Sequence, residues 1–421
     1  MKVLWFAITP CGATDKLAPD MNLSGWLKSL EEELVKSELI ELSVGFYWNV
    51  PLEPFQLNRT TYYPVLRTGG KSKFNRMINR LLDNIHDDNK EIPRLLNIIQ
   101  KIRPDIIHVH GTEDNFGLIQ SVTNIPVCIS IQGIQAPIIE KYYSGISSSE
   151  ASINEGIIPK LLFKSAGYWK KYMVKCSIRE KKILSQTKNI LGRTDWDRRI
   201  TRLFAPSSRY HTSEEILRPA FYQNRWEKLQ FSNPLELVTI ISGGIYKGLE
   251  SIVKTSRILK SFSFNDFKWT IIGPDESSYF ARLVKNVTRE KYEYLNITFL
   301  GNKNENEIVD ILKLSDIYCQ VSHIENSPNS LCEAMLLGMP VMATFAGGTE
   351  SLLENRKEGI LVQDGDPYSM AGTIIDLQKN FGKALRMAEA AHQRAIKRHS
   401  QKSVVDELIR TYERIIKDVK L

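Results

Sequence analysis

The side chains with the clearest chemistry in this sequence are two carboxylates, Glu325 and Glu333, which stand eight positions apart. Glu325 lies in a polar segment beside Ser327-Pro328, and Glu333 lies in the first turns of a helix predicted from Ser330 to Leu337. Carboxylates accept hydrogen bonds from sugar and ribose hydroxyls, and the amides at a helix start attract a diphosphate. The pattern therefore favours a sugar-nucleotide site, although either Glu taken alone is better explained as a solvated or helix-favouring charge.

The elements around these carboxylates follow the order expected of an open parallel α/β sheet. Apolar strands are predicted from Ile317 to Val321 and from Pro340 to Phe345, and Gly338 ends the helix between them. The turn after the second strand contains Gly347 and Gly348, which let backbone amides approach a ligand closely. Because ligands of such sheets bind beyond the carboxyl ends of the strands, both loops are expected at the binding edge.

A glycine-rich turn earlier in the chain predicts a second anion-binding element. It follows a strand predicted from Leu235 to Ile241 and precedes a helix. The residues of interest in the turn are Gly243, Gly244, Lys247 and Gly248. Glycines, a lysine and a helix start together bind anions, although the spacing is not that of a P-loop.

The stretch from Glu325 to Glu350 resembles the donor-site signature of the family-4 glycosyltransferases, which are retaining enzymes of the GT-B fold. That signature is a Glu, seven residues and Glu-Ala-Met, followed by Gly-x-Pro-Val and Gly-Gly-x-x-Glu. The matching segments are Glu325, Glu333-Ala334-Met335, Gly338-Met339-Pro340-Val341 and Gly347-Gly348-Thr349-Glu350. The last segment has one residue, not two, between the glycines and the acid. The similarity covers most of the chain and is strongest from Leu235 to Asp366.

The resemblance implies an α/β protein with two doubly wound, Rossmann-like domains facing one cleft. We expect an acceptor-side domain at residues 1–220, a donor-binding domain at 235–398 and a helix at 399–421 that returns to the first domain. The implied reaction is a retaining transfer of a sugar from a nucleotide-diphosphate sugar to a hydroxyl of a carbohydrate or lipid-linked glycan. The expected setting is surface-polysaccharide synthesis, such as capsule, exopolysaccharide or O-antigen.

The resemblance also assigns roles in the donor site. Glu325 would orient the sugar hydroxyls, Lys247 would hold the diphosphate as the second catalytic residue, and Glu333 would hold the ribose. The full donor-binding set is Gly243, Gly244, Lys247, Gly248, Asn302, Glu325, Asn329, Ser330, Leu331, Glu333 and Gly348. The family's diphosphate-binding arginine is absent here, and Arg193 is one basic residue that could replace it. We expect no metal and no cofactor, because the lysine and the helix dipoles supply positive charge.

The first domain would face the acceptor. Its candidate residues are Gly12, Ser24, Gly25, Trp26, His110, Gln132 and Arg193. Gln132 stands where many family members carry histidine, and an amide cannot take up a proton near neutral pH. On spacing alone, Trp26 is typical of a core aromatic. The pair His108 and His110 lacks a third zinc ligand, and Asp195-Trp196-Asp197 is interpreted as a helix cap rather than a metal site.

Charge is concentrated in one part of the chain. Residues 155–228 contain 17 Lys and Arg against 7 Asp and Glu, a net +10 in a chain whose total is +8. This basic block is either a solvated helix face or a surface for an acidic partner, including peripheral contact with an anionic membrane. Two alternatives stay open: a sugar-nucleotide epimerase of the same fold, and a non-catalytic protein that binds nucleic acid or an anionic surface. We favour an enzyme without a nucleic-acid partner.

Other features favour a cytoplasmic protein. The five cysteines show no C-x-x-C spacing, and no apolar run reaches the length of a membrane span. The opening residues are interpreted as a strand from Val3 to Thr9 rather than a signal peptide. Further strands are predicted at 39–47, 105–110, 127–131, 189–192, 267–273, 296–300 and 359–362. Further helices are predicted at 92–102, 160–184, 308–314, 367–378, 382–399 and 400–419, and near 74–85.

Overall fold

The computed structural model describes residues 1–18, 25–67 and 88–420. The chain forms two compact units, here called unit 1 and unit 2. Unit 1 comprises Met1–Ala136, Lys171–Ile216 and His399–Leu421, and unit 2 comprises Pro137–Lys170 and Leu217–Arg398. This division differs from the predicted continuous domain at 1–220, because residues 137–170 pack with unit 2. A carboxylate oxygen of Glu155 in that segment accepts a hydrogen bond of 2.7 Å from the Tyr279 hydroxyl.

Unit 1 contains a largely parallel sheet with helices in its crossover connections. The strands are β1 Lys2–Ala7, β2 Glu41–Trp48, β3 Phe55–Leu57, β4 Thr60–Leu66, β5 Ile106–His110, β6 Val127–Ser130, β7 Asn189–Gly192 and β8 Arg209–Thr212. Their order in the sheet is β3-β4-β2-β1-β5-β6-β7-β8. Only the β3–β4 pair among them is antiparallel. Because β1 leads to β2 on one side and pairs with β5 on the other, the direction of winding reverses between β1 and β5.

The helices are numbered in chain order over the described residues. They are α1 Thr14–Leu17, α2 Gly25–Leu34, α3 Asp88–Ile102, α4 Gln135–Glu140, α5 Ser148–Asn154, α6 Ile157–Leu161, α7 Ala166–Ser185, α8 Asp195–Phe204, α9 Pro219–Tyr222, α10 Leu249–Ser261, α11 Tyr279–Thr288, α12 Glu305–Leu314, α13 Asn329–Leu337, α14 Thr349–Leu352, α15 Pro367–Lys379, α16 Phe381–Arg398 and α17 Gln401–Lys420. Short 3₁₀ turns lie at Cys11–Ala13, Phe116–Ser121, Ile245–Lys247 and Tyr292–Leu295.

Unit 2 contains a fully parallel six-stranded sheet within the described residues. Its strands are β9 Leu235–Ile240, β10 Phe267–Ile272, β11 Ile297–Phe299, β12 Ile317–Gln320, β13 Val341–Phe345 and β14 Ile360–Gln363. The order is β11-β10-β9-β12-β13-β14, which is the 3-2-1-4-5-6 order of a dinucleotide-binding domain. The reversal of winding lies between β9 and β12, where Ile317 is in register with Leu237.

The core of unit 2 explains why its strands read as continuous apolar runs in the sequence. Both faces of the sheet are covered, so successive side chains along β12 and β13 are almost all buried. Helix α13 is buried from Leu331 to Leu337 and ends at Gly338, which has a left-handed φ of 79°. The glycine stops the helix because this conformation is strained for residues with a side chain.

Several element predictions differ from the structure. The weakly patterned region after Leu52 contains β3 and β4, and the predicted helix near 74–85 lies outside the described residues. The predicted helix at 160–184 is two helices, α6 and α7. The break has a local cause, because Phe163 has a left-handed φ of 51° and the Ser165 hydroxyl accepts the amide of Tyr168 at the start of α7. Strand β8 was not predicted.

Candidate active site

The reversal of winding in unit 2 brings together two of the predicted residues. Lys247 lies in the turn after β9, and Glu325 lies in the loop after β12, the neighbouring strand. The Lys247 Nζ atom donates a hydrogen bond of 2.6 Å to Glu325 Oε1. Both side chains are mostly buried, with exposed fractions of 17% and 15%. The two groups that sequence analysis placed in separate loops therefore form one ion pair at the switch point of the sheet.

This ion pair keeps the lysine charged. Burial lowers the pKa of Lys247, but the charge of Glu325, the nearby Tyr246 and the hydrogen bond to Glu325 together raise that pKa above its ordinary value. The Lys247 ammonium is thus protonated at neutral pH. A protonated amine in a partly buried loop stabilises the negative charge of a phosphate oxygen more strongly than the same group in water.

Two glycines bring the backbone of this site close together. Gly248 has a φ of 81°, and a Cβ placed on it would lie 2.1 Å from the carbonyl oxygen of Val321. Gly347 has a φ of 59°, and a Cβ there would lie 2.0 Å from the carbonyl oxygen of Glu325. Any side chain at either position would displace the loop that carries Glu325. The other predicted glycines are less constrained, since a Cβ on Gly243 would meet open space.

The amide of Gly348, which belongs to the predicted donor-binding set, has a partner within unit 2. It donates a hydrogen bond of 2.9 Å to the carbonyl oxygen of Glu325, and its contact with a donor remains a prediction. Helix α14, which follows this glycine, has four residues and is too short to present a substantial dipole. Gly347 and Gly348 therefore act on Glu325 by fixing the position of its main chain.

Helix α13 presents its N-terminus next to the Glu325 loop. The Pro328 carbonyl accepts the amides of Leu331 and Cys332, and the two amides before them have no partner within their own helix. The Ser330 hydroxyl accepts a hydrogen bond of 2.8 Å from Tyr318. The side-chain oxygen of Asn329 is buried without a hydrogen-bond partner among the described residues. Of these groups, the two amides without a helical partner and the Ser330 hydroxyl can donate hydrogen bonds to an anion, whereas the Asn329 oxygen can only accept one.

Glu333 is paired with an arginine that sequence analysis did not identify. Arg218 donates two hydrogen bonds of 2.7 Å, from Nε to Oε1 and from Nη2 to Oε2 of Glu333. The Glu333 side chain is only 3% exposed, and Arg218 is 15% exposed. The carboxylate thus holds residues just before α9 against α13. The predicted contact with a ribose remains a prediction, and in this structure both carboxylate oxygens are already hydrogen-bonded.

A buried histidine supports the Glu325 loop from the other side. His323 lies two residues before Glu325, and its Nε2 atom is 2.7 Å from Oε1 of Glu250 on α10. Its Nδ1 atom lies 3.5 Å from Asp364 Oδ2, which also pairs with Lys141 at 3.1 Å. Burial lowers the pKa of His323, but Glu250 and Asp364 raise it above the ordinary value. The ring therefore links the loop to α10 through Glu250, with the carboxylate of Asp364 close to its other nitrogen.

Asn302, a predicted donor-binding residue that the resemblance would place near the nucleotide base, is less central. It follows β11, the edge strand, and β10 separates that strand from β9. The turn before it is tight, because Gly301 has a φ of 66° and accepts the amide of Gly273 at 2.9 Å. Its role at a nucleotide base remains a prediction.

In unit 1, three of the acceptor candidates lie together. The Arg193 guanidinium carbon lies 4.1 Å from the centroid of the Trp26 ring, and Trp26 meets His110 edge-on at 6.0 Å between ring centroids. Arg193 also pairs with the buried Glu215, at 3.5 Å from Nε to Oε2. Trp26 is only partly buried, so the core position suggested by its spacing is not what the structure has.

His110 is an unusual buried group. Both of its ring nitrogens are buried without a hydrogen-bond partner among the described residues. Burial, followed by the charges of His108 and Arg193, holds the pKa of His110 well below its ordinary value, so the ring is neutral. His108, in contrast, is hydrogen-bonded on both sides, to Tyr412 at 2.6 Å and to Ser130 at 2.5 Å.

The remaining acceptor candidates are more dispersed. The amide of Gly12 donates a 2.7 Å hydrogen bond to the buried Glu31, and Ser24 lies outside the described residues. Gln132 lies near Gly111, with its Nε2 atom 3.7 Å from a Cβ built on that glycine. Gly25 begins α2 with a φ of 45°.

Sequence analysis missed two carboxylates of unit 1, Glu113 after β5 and Glu180 on α7. Glu180 is fully buried, accepting hydrogen bonds from the Thr112 hydroxyl at 2.6 Å and from the Gln135 amide at 2.8 Å. Burial raises the pKa of Glu180 to about 7 despite the Thr112 hydrogen bond, and the charge of Glu113 contributes to the increase. Burial likewise raises the pKa of Glu113 to about 6. No local spacing signals this pair, since 67 positions separate its members along the chain.

The helix cap that we predicted at Asp195-Trp196-Asp197 lies at the preceding residue, and these three residues form the first turn of α8. The N-cap of α8 is Thr194, whose hydroxyl accepts the amide of Asp197 at 3.1 Å. Asp197 accepts hydrogen bonds from the Arg193 amide at 3.0 Å and from the Tyr210 hydroxyl at 2.5 Å. Its oxygens therefore serve the local fold.

Comparisons with known proteins agree with this architecture. Residues 222–394 match the family model of glycosyl transferases group 1. The amylovoran biosynthesis glycosyltransferase AmsK of Erwinia amylovora is 23% identical over 226 residues, which is 52% of this chain and 54% of that protein. The chain spans about half, or less, of the length of the curated relatives it matches.

Solved structures of similar fold align with nearly the whole chain. Sucrose-phosphate synthase from Thermosynechococcus elongatus has a TM-score of 0.72 at 11% identity, covering 99% of this chain and 100% of that one. Anabaena HepE, solved in complex with UDP-glucose, has a TM-score of 0.59 at 14% identity, covering 98% of this chain and 99% of that one. Across the described ranges, no helix is both long and apolar enough to cross a membrane. Residues 222–394 thus resemble the glycosyl transferases group 1 family, and the chain has the GT-B fold.

Proposed function

We propose that the protein is a retaining glycosyltransferase that moves a sugar from a nucleotide-diphosphate sugar to a hydroxyl of a carbohydrate or lipid-linked glycan. The observation that carries the proposal is the Lys247–Glu325 pair at the switch point of unit 2, 2.6 Å apart and mostly buried. The switch point is where an open α/β sheet binds its ligand. The family match of residues 222–394 includes both side chains.

Each group would have a separate task when the donor binds. The diphosphate would compete with Glu325 for the Lys247 ammonium, and the amides at the start of α13 would meet the same anion. Glu325, released from the lysine, would accept hydrogen bonds from the sugar hydroxyls. As the bond to the sugar breaks, Lys247 would stabilise the charge that develops on the leaving diphosphate. The leaving phosphate would accept the proton of the acceptor hydroxyl, and no base from Gln132 is needed.

Two relatives support the biological setting. AmsK is described as an amylovoran biosynthesis enzyme, which favours a role in surface-polysaccharide synthesis. HepE binds UDP-glucose in its crystal structure, which favours a nucleotide-sugar donor. We propose that no divalent metal or cofactor takes part, since Lys247 and the helix N-terminus supply the positive charge. We also propose that the protein makes peripheral contact with an anionic membrane.

The decisive experiment uses a panel of nucleotide sugars. A donor that binds only the folded protein raises its melting temperature, and this identifies the base and the sugar. With that donor, we expect Glu325→Gln to lower kcat by roughly 10²–10³-fold while the fold stays intact. Glu293→Gln, at an exposed position of the same unit, is the control. Unchanged turnover in Glu325→Gln would remove Glu325 from the site, and isomerised donor without acceptor would indicate an epimerase instead.

A further inference from the structure

One loop of unit 2 exposes an unusual amount of aliphatic surface. We define the apolar tip as Ile153, Ile157, Ile158 and Leu161, whose exposed fractions are 79%, 70%, 66% and 66%. All four lie within nine residues, at the end of α5 and along α6. Single exposed apolar residues are ordinary, but adjacent aliphatic side chains that protrude together mark an interaction surface.

The apolar tip is held in place at its base. Glu155 Oε2 accepts hydrogen bonds from the Ala166 amide at 2.9 Å and from the Tyr279 hydroxyl at 2.7 Å. The carbonyl of Asn154 accepts a further hydrogen bond of 3.0 Å from Asn286. Both ends of the segment 155–166 are therefore fixed to α11. The protrusion of the aliphatic side chains follows from this anchoring.

Around the apolar tip, residues 148–170 contain three lysines and two carboxylates, and one of these, Glu150, accepts hydrogen bonds from Ser147 at the start of α5. The lysines are Lys160, Lys164 and Lys170, and the second carboxylate, Glu155, is already engaged at the base of the loop. Lys160 and Lys164 are exposed. Lys160 donates to the Ser152 carbonyl at 2.7 Å, which places its ammonium beside α5. Aliphatic side chains flanked by lysines are complementary to a surface that is apolar inside and negatively charged outside.

We infer that the apolar tip inserts into the surface of an anionic lipid bilayer, with Lys160 and Lys164 at the headgroups. A bilayer fits better than nucleic acid, which offers no apolar interior for four aliphatic side chains. Helix α6 has only five residues, so its insertion is shallow and needs the lysines as a second contribution. This inference gives the membrane contact of the proposed function a location, and it can be tested apart from glycosyl transfer because the loop contains none of the residues assigned to the donor site.

The test uses the full-length protein and vesicles of two compositions. Flotation with phosphatidylcholine vesicles that contain 30% phosphatidylglycerol should recover the protein, and flotation with pure phosphatidylcholine should not. The triple variant Ile157→Ser/Ile158→Ser/Leu161→Ser should partition about tenfold less onto the anionic vesicles. A matched control is Leu229→Ser/Phe262→Ser/Leu314→Ser, which removes three equally exposed apolar side chains from unit 2 and should bind as the unmodified protein does.

A second measurement reports directly whether the apolar tip enters the bilayer. The five native cysteines are all buried, so Ile158→Cys can be labelled selectively with an environment-sensitive fluorophore. Anionic vesicles should shift its emission to the blue, whereas a label at Leu229→Cys should not respond. Equal binding by the triple variant, or no binding by the unmodified protein, would overturn the inference. So would a dimer in light scattering that the triple variant abolishes, because a second copy would then cover the tip. Donor-induced thermal stabilisation of the triple variant separates this inference from the proposed function.

Discussion

Replacing Glu333 by Gln should destabilise unit 2 as well as alter the donor site. Glu333 is 3% exposed and receives two hydrogen bonds of 2.7 Å from Arg218. Breaking a buried pair by removing one charge costs about 3–5 kcal/mol, because the remaining ion is left without compensation. Arg218 is 15% exposed, so we take the lower end, about 3 kcal/mol. For a unit of this size that loss corresponds to a fall in melting temperature of roughly 6–12 °C.

The assay is thermal unfolding with matched variants. Glu389→Gln breaks a similar pair with Arg225, but those side chains are 52% and 30% exposed, so it should cost about 1 kcal/mol or less. The double variant Arg218→Gln/Glu333→Gln should lose less than the sum of the two single variants, because it leaves no unpaired charge. A melting temperature for Glu333→Gln within a degree of Glu389→Gln would refute the reasoning. An unchanged donor titration in Glu333→Gln would refute the ribose assignment.

Three further predictions concern pH and metal ions. Because the pKa of His323 is raised in the folded protein, protonation of its ring stabilises the fold. This contribution is fully present below about pH 6.5 and is lost as the pH rises through the raised pKa. His323→Asn should therefore lower the melting temperature more at pH 5.5 than at pH 9. The pKa of Glu180 rises from near 4.5 to about 7, so its protonated form stabilises the fold at low pH, and about 3 kcal/mol should be lost as pH rises through that window. Glu180→Gln should flatten this loss in melting scans, and an unchanged slope would contradict the assignment. We propose that Lys247 supplies the positive charge at the diphosphate, so incubation with EDTA should leave donor affinity unchanged by calorimetry, whereas a metal-dependent site would lose it.

Much of the donor-side architecture follows from short-range pattern. The strand, loop, helix and glycine order from Ile317 to Gly338 is local information: an apolar run, a polar turn, a helical segment and a residue that tolerates positive φ. The resemblance to the donor-site signature added the expectation that the Lys247 turn and the Glu325 loop, which are far apart in the chain, serve one site. The GT-B fold is confirmed by the architecture and the solved relatives.

The rest depends on contacts between residues far apart in the chain. Arg218 meets Glu333 across 115 positions, and His323 meets Glu250 across 73, so no spacing rule indicates either pair. The amide of Gly348 could not be assigned to the Glu325 carbonyl from sequence, because a glycine pair is equally typical of ligand approach. Likewise, sequence analysis assigned residues 137–170 to the first domain. Their contact with α11 is the hydrogen bond between Glu155 and the Tyr279 hydroxyl, 124 residues apart in the chain, which no local pattern indicates.

The division of unit 2 between two chain segments has a consequence for its biosynthesis. When Glu155 leaves the ribosome, its partner Tyr279 still has to be synthesised, 124 residues later. At about 5–20 residues per second, the early segment waits roughly 6–25 s before it can dock. During that interval Ile157 and Ile158 protrude from a nascent chain whose supporting helix does not yet exist. A fragment that starts at Leu217 would lack this segment permanently and would leave the docking face of Tyr279 uncovered.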